Sequence, residues 1–371
     1  MEKKKINVYL QYPWKFPDSP YYKYLIENPP EGIKFLNAEK QKGVIINKKK
    51  FFLSNFIKKS IRGVFHTLGI PILNTHLTKT GENVDLIHCA HCMSLNESPW
   101  VADFESWWQF WISGALQKRK LNKVKKLILN ENCKKIIPWT DAIKKDILEV
   151  MPEIKNKIEV VCPAVPFPNF KKIKHKKVTI LYVARYFWVK GGLIALETLK
   201  KLKKKHDIEI IFISDVPKKI KEKYPDIKIL DLVPQKKLIE YYKSADIFFY
   251  PSLLDTFGFS LLESMSFGIP IVALNTGGTT NCKEIIEDGK TGLIIDVPSY
   301  QGNKIYKKIK RIGKVEEEVI EQLVEKTGLL IKNKKLREKM SKECRETIKS
   351  GKFSIQARNK KLKKIYLEAL K

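Results

Sequence analysis

Short apolar runs alternate with amphipathic stretches along nearly the whole chain. In the first half, runs at 6–10, 33–36, 70–73, 85–89, 100–104, 135–138 and 158–161 are closed by Pro, Asn or polar clusters and read as buried strands. Helical periodicity fills 50–68, 106–126 and 141–151, the last opened by the cap-like Thr-Asp-Ala-Ile-Lys-Lys-Asp. The stretch "CPAVPFPNFKKIKHKK", 162–177, breaks every periodicity and reads as a linker. The pattern restarts with a strand at 178–183 and a helix at 192–205. Strands at 208–213, 228–232, 246–250, 270–274 and 292–295 then alternate with helices at 236–243 and 260–267. Beyond Pro298 the chain is almost wholly helical in pattern, and no repeat of solenoid period occurs. This order predicts an α/β protein of two doubly wound, Rossmann-like domains facing across a cleft.

Length agrees with two cores, since 371 residues exceed what one usually holds. With 43% apolar residues the chain has ample material to bury. No run approaches the roughly 18 apolar residues of a spanning helix. The start, "MEKKKINVYLQYP", has too little apolar length for a signal peptide, so a cytoplasmic location is expected. The six cysteines follow no regular spacing and are expected to be reduced thiols.

Charge changes the picture more. The formal net charge is +31, with +14 before residue 176 and +17 after it, so the excess is no basic tail. Such a balance attracts polyanions, whether nucleic acid, anionic lipid or phosphorylated ligands, although Lys-rich composition alone produces it too. The stretch 48–68 puts apolar residues on one helical face and lysines on another, and "SWWQFWISGALQKRK" sets tryptophans beside a basic run. Both suit peripheral contact with an anionic membrane at its cytoplasmic face, and both suit core helices with snorkelling lysines.

The most informative segment is "YPSLLDTFGFSLLESMSFGIPIVALNTGG", 250–278. A strand ends at Pro251, Asp255 lies in the following loop, and a short helix runs to Gly268 and Pro270. In an open α/β sheet, ligands sit at this carboxyl end of a strand. Gly258 permits a tight turn and close backbone approach, and the amides of residues 259–262 at the helix start suit an anion. Leu261, Leu262 and Met265 can face the core, which directs Glu263 to the cleft. Two carboxylates there could accept paired hydrogen bonds from vicinal hydroxyls, as a sugar or ribose requires.

Asp255-Thr-Phe-Gly-Phe-Ser-Leu-Leu-Glu263, with "SFGIPIVALNTGG" and "DGKTGLII" behind it, resembles the nucleotide-binding domain of GT-B glycosyltransferases, family 4, the glycosyl transferases group 1. "LYVARYFWVKGG" is similar to the family's upstream strand and Lys-Gly element, with Ala184 where glycine is usual. The resemblance implies a hexosyltransferase-type enzyme that transfers sugar from a nucleotide-diphosphate-sugar, with retention, to a carbohydrate or lipid-linked acceptor. It assigns Arg185 and Lys190 to the donor diphosphate, Asp255 to the sugar hydroxyls and Glu263 to the ribose. Phe257, Gly258, Phe259, Ser260 and Leu261 complete the donor site. It also implies a final helix crossing back to the first domain, giving domains of 1–165 with 354–371 and of 176–353. No cofactor or essential metal is expected.

The first half departs from the family. A glycine-rich loop after the first strand is replaced by "QYPWKFPDSPYY", and Glu105 stands where the family often has His. Glu105 is therefore a candidate catalytic carboxylate, able to orient a hydroxyl or accept a proton. After Gly277-Gly278, Asn281 stands where the family usually has Glu. In "IHCAHC", 87–92, His91 is a candidate cleft-lining catalytic residue, while metal binding is disfavoured because strand alternation splits the four potential ligands between two faces. Two other readings stay open: a nucleotide-sugar hydrolase or epimerase on the same fold, and a basic nucleic-acid-binding protein. The second is opposed by scattered charge and the lack of a nucleic-acid motif, so no nucleic-acid partner is expected.

Overall fold

In a computed structural model of the protein, residues 5–11, 20–38, 60, 63, 64, 67, 68, 72–81, 83–112, 121–276, 282–300 and 302–371 are described. The chain forms two compact units, one of residues 1–164 with 355–371, the other of residues 165–354.

The first unit is built on strands β1 (Ile6–Gln11), β2 (Ile33–Leu36), β4 (Leu86–Ala90), β6 (Trp100–Phe104) and β7 (Cys133–Pro138), with the two-residue strands β3 (Thr75–His76) and β5 (Met93–Ser94) paired separately. The main sheet runs β2-β1-β4-β6-β7, and every pairing in it is parallel. Each residue of β4 and of β6 is buried, as expected of strands covered on both faces. The strand order reverses between β1 and β4, the kind of topological switch point at which this sheet type binds ligands. The helix Ile355–Ala369 belongs to this unit: Leu362, Ile365 and Tyr366 are fully buried, and the Arg358 guanidinium donates to the Asn28 carbonyl at 2.6 Å.

The second unit has strands β8 (Val178–Val183), β9 (Ile208–Ile213), β10 (Lys228–Leu230), β11 (Ile247–Tyr250), β12 (Ile271–Asn275) and β13 (Gly292–Asp296). Their order is β10-β9-β8-β11-β12-β13, again entirely parallel. Chain order therefore reverses between β8 and β11, the topological switch point at which this sheet type binds ligands. Ile180, Tyr182, Leu196, Leu199, Phe212, Phe249, Val272 and Leu323 fill one continuous core between the sheet and its helices. Four helices from Gly302 onward carry the chain to Ala369.

Two sequence expectations need correction. Residues 158–161 run along the edge of β7 without forming a regular strand: after a 3-10 turn, Pro152–Lys157, Ile158 makes an isolated bridge with Ile136, and the Glu159 and Val161 amides donate to the Ile136 and Pro138 carbonyls at 3.1 and 3.2 Å. The expected helix at 106–126 is interrupted, because a capping box at Ser106 and Gln109 starts a single 3-10 turn, Trp107–Phe110, that ends on extended Trp111. Residues 113–120 lie outside the described residues, and a regular helix covers Leu121–Leu129. The stretch 162–177, read as a linker, forms no helix or strand and contains the division between the units, and its later part packs on the second unit. Phe170 packs on Phe267 at 4.9 Å, and the amide of Ile173 donates to the Lys243 carbonyl at 3.1 Å. Of the membrane-facing candidates, 48–68 and 113–120 lie largely or wholly outside the described residues, whereas Trp111 is buried. Among the described residues no helix is long and apolar enough to cross a membrane.

Candidate active site

In the second unit, the loops leaving β8 and β11 are pressed together by glycines. Gly191 has φ 66°, and a Cβ on it would stand 1.8 Å from the Pro251 carbonyl oxygen. A Cβ on Gly192 would enter the Phe187 ring at 2.1 Å. The Leu253 amide donates to the Val189 carbonyl at 3.1 Å, tying one loop to the other. This proximity lets the Lys190 ammonium reach across to the Leu254 carbonyl at 3.0 Å and to Asp255 Oδ2 at 2.7 Å. The Tyr182 hydroxyl donates to the Lys190 carbonyl at 3.0 Å and fixes the backbone below it. Arg185 lies two residues beyond β8, half-buried, beside Tyr186, whose φ of 64° turns the corner.

Asp255 Oδ2 also accepts a hydrogen bond from the buried Tyr250 hydroxyl. Burial, and the nearby carboxylate after it, hold the Tyr250 phenol well above its ordinary range, so it serves as a donor. Gly258 follows with φ 99° and opens the helix Phe259–Ser266. Leu261, Leu262 and Met265 are fully buried and Glu263 is half-buried. Glu263 Oε2 accepts from the Tyr242 hydroxyl at 3.2 Å. Phe257 is buried beside Phe259 and Phe353, with ring centroids 5.1 and 6.5 Å away, so the Phe257 and Leu261 side chains serve packing. One expectation changes: the Leu261 amide already donates to the Gly258 carbonyl at 2.9 Å, so it is not free for an anion. The positions of Gly277, Gly278 and Asn281 lie outside the described residues.

The first unit gathers a buried network at the carboxyl ends of β4 and β6. His91, in a left-handed conformation with φ 55°, places Nε2 3.4 Å from Glu105 Oε1 and Nδ1 3.8 Å from Asp103 Oδ1. Asp103 is fully buried, receives the Tyr22 hydroxyl, and lies 3.3 Å from His88 Nε2. The other His88 ring nitrogen is 2.6 Å from the Tyr366 hydroxyl. Burial pushes the Asp103 carboxyl up, but His88, His91 and Tyr22 together outweigh it and leave the pKa lowered. Burial likewise disfavours a charged His91, yet Glu105 and then Asp103 overcome this and raise its pKa above the usual value. Glu105 and Asp103 thus favour the protonated form of His91. Among the described residues no group of three His, Cys, Asp or Glu side chains is arranged to hold a metal ion. Cys89 and Cys92 are buried and turn their thiols to the Gln11 side-chain and main-chain oxygens.

Asp103, Tyr250 and Tyr242 were not singled out by the sequence. Asp103 could have been, as the one carboxylate inside the otherwise apolar run Trp-Val-Ala-Asp-Phe. The tyrosines could not, because each is an ordinary strand or helix residue until its partner is known.

Residues 167–347 match the family model "Glycosyl transferases group 1". An uncharacterized glycosyltransferase of Haemophilus influenzae is 25% identical over 245 residues, which is 64% of this chain and 63% of that protein. The match thus spans under two thirds of that relative, and two further curated relatives are matched over 42% and 41% of their lengths. Among solved structures, a glycosyltransferase from Rickettsia africae superposes with TM-score 0.64 at 18% identity, covering 100% of this chain and 99% of its own. The Anabaena protein HepE, solved in complex with UDP-glucose, does so with TM-score 0.57 at 13% identity over 96% and 98%. The fold is that of GT-B glycosyltransferases, two Rossmann-like α/β domains, and residues 167–347 of the second carry the glycosyl transferases group 1 sequence pattern.

Proposed function

We propose that the protein transfers a hexose from a nucleotide-diphosphate-sugar to an acceptor hydroxyl, with retention of anomeric configuration. The observation that carries this reading is the Lys190–Asp255 pair, 2.7 Å apart, at the switch point between β8 and β11. A cation and a carboxylate there match the two halves of such a donor. Lys190 and Arg185 would face the diphosphate, and Asp255 a sugar hydroxyl. Glu263 would accept from the ribose, and the backbone from Gly258 through Ser260 would approach the phosphates at the start of the helix Phe259–Ser266. As the glycosidic bond breaks, negative charge builds on the leaving nucleotide. Preplaced cations stabilise that charge more than they stabilise the ground state, and losing one such group costs about 3 kcal/mol of barrier.

In this reading Glu105 orients or deprotonates an acceptor group, and His91, held by Asp103, keeps Glu105 in position. The acceptor is a carbohydrate or lipid-linked hydroxyl compound, and the excess positive charge would favour a peripheral site on an anionic cytoplasmic membrane face. The UDP-glucose bound by the Anabaena protein of the same fold supports a nucleotide-sugar donor. The test is to incubate the purified chain with radiolabelled nucleotide-sugars, with and without extracted glycolipids and oligosaccharides. Label moving into an acceptor supports transfer. Release of free or epimerised sugar at the same rate without acceptor would favour the hydrolase or epimerase reading instead.

A further inference from the structure

The second unit contains another concavity, of about 620 Å³, at the opposite edge of its sheet from Lys190 and Asp255. Val178, Asp246 and Pro270, which line it, stand at the amino ends of β8, β11 and β12. In a parallel sheet that edge lies a full strand length from the switch point, roughly 20 Å for the six residues of β8. The concavity is therefore no extension of the candidate active site.

Its lining includes seven lysines and arginines against two carboxylates. Both carboxylates are already engaged. Asp246 Oδ2 accepts the Thr179 amide at 2.9 Å while Oδ1 lies 4.0 Å from Lys172, and Glu338 lies 3.8 Å from Lys334. Lys172 spends its ammonium on the Ala245 carbonyl, and Arg337 on the carbonyls of Leu330 and Ile331. Burial lowers the pKa of Lys172 more than the nearby Asp246 raises it.

Lys177 pairs with Asp207 at 2.6 Å, a carboxylate outside the lining, and three cations remain. Lys174 and Lys176 are exposed and, among the described residues, have neither an ion pair nor a hydrogen bond. The guanidinium of Arg345 stacks over the rings of Phe167 and Phe170, 4.4 and 5.1 Å from their centroids. Stacking fixes the plane and leaves its edge N–H donors, which among the described residues have no acceptor. Gly268, with φ 67°, keeps that arrangement open, since a Cβ there would stand 2.7 Å from Ser341 Oγ and 3.0 Å from Arg345 Cδ. A guanidinium edge fixed by stacking and two exposed ammonium groups around one concavity match several phosphate oxygens at once. We propose that this concavity binds a ligand carrying clustered phosphates, either a soluble oligophosphate or the headgroup of a phosphate-rich lipid.

The test is titration calorimetry of the full chain with inorganic tripolyphosphate, and flotation with phosphatidylcholine vesicles containing or lacking cardiolipin. Binding of either probe should weaken about tenfold in Lys174→Ala/Lys176→Ala, from the loss of two exposed charge contacts. It should weaken further in Arg345→Met, which keeps the stack's bulk. Arg185→Ala reports any tripolyphosphate held at the candidate donor site instead, and the control Lys218→Ala/Lys219→Ala, which removes two exposed lysines elsewhere, should leave binding unchanged. Saturable tripolyphosphate binding with this pattern assigns a soluble ligand, and vesicle binding alone with this pattern assigns the lipid. The proposal is overturned if neither probe binds, if only Arg185→Ala weakens binding, or if the control weakens it equally.

Discussion

The Lys190 ammonium is held 2.7 Å from Asp255 Oδ2, on the same oxygen that accepts the Tyr250 hydroxyl. The cation assigned to a donor diphosphate is thus bound to a carboxylate in the free protein, and an incoming nucleotide must draw it away. Replacing Asp255 by Asn removes that competition. We expect Asp255→Asn to bind a nucleoside diphosphate more tightly in calorimetry while sugar turnover falls by about a hundredfold or more, since in the proposed function the carboxylate also faces the sugar. Weaker nucleotide binding in Asp255→Asn would show that Lys190 does not hold the phosphates.

Gly191 sets the distance between the two loops. A methyl group at this position meets the Pro251 carbonyl oxygen at 1.8 Å, and φ 66° is strained for any other residue. Gly191→Ala should lower unfolding free energy by about 2 kcal/mol or more, read by urea denaturation, and should abolish nucleotide binding by separating Lys190 from Asp255. Gly32, also at positive φ but with nothing within 4 Å of its added Cβ, should tolerate Ala at about 1 kcal/mol.

His91 gives the fold a pH dependence of known sign. Its folded pKa is raised, because Glu105 and Asp103 outweigh the effect of burial. The stabilisation it contributes is fully present below the unfolded value of about 6.5 and is lost as pH rises through the folded value. Urea unfolding over a pH series should show stability falling above neutrality in the wild type, and a smaller fall in His91→Gln. Parallel curves for the two proteins would remove His91 from the account.

The Tyr366 hydroxyl reaches His88 Nδ1 at 2.6 Å inside the first unit, joining the helix Ile355–Ala369 to β4. Tyr366→Phe leaves that nitrogen buried without a partner. The cost should be about 1–3 kcal/mol, seen as a lower melting temperature and as faster amide exchange in this helix. Unchanged exchange there would mean that apolar contacts of Leu362 and Ile365 suffice.

The second-unit strands were legible because each is a compact β-branched or aromatic run between polar breaks. Residues 178–183 and 208–213 were delimited by pattern alone and match β8 and β9. Residues 106–126 were not legible, since Gln109 folds back as the partner of Ser106 and starts a turn that no periodicity reveals. Residues 158–161 have strand composition and donate two amides to β7, but the turn before them leaves a single bridge, at Ile158, rather than a regular strand. In the site, the spacing of Asp255, Gly258 and Glu263 is local and could be read from a family resemblance. The contacts of Asp103 with Tyr22, His88 and His91 are long-range, and only the packed sheet brings them together.

The central claim is that the switch point of the second unit holds a nucleotide-sugar. The most direct measurement is a thermal-shift titration of the purified chain with UDP-, GDP-, ADP- and dTDP-sugars, with Arg185→Ala and Glu263→Ala alongside. Stabilisation by one nucleotide class, lost in both variants, is the expected result and names the donor base. A wild type left unmoved by every nucleotide-sugar, but stabilised by DNA or RNA, would contradict the transferase account and make the positive charge the functional feature.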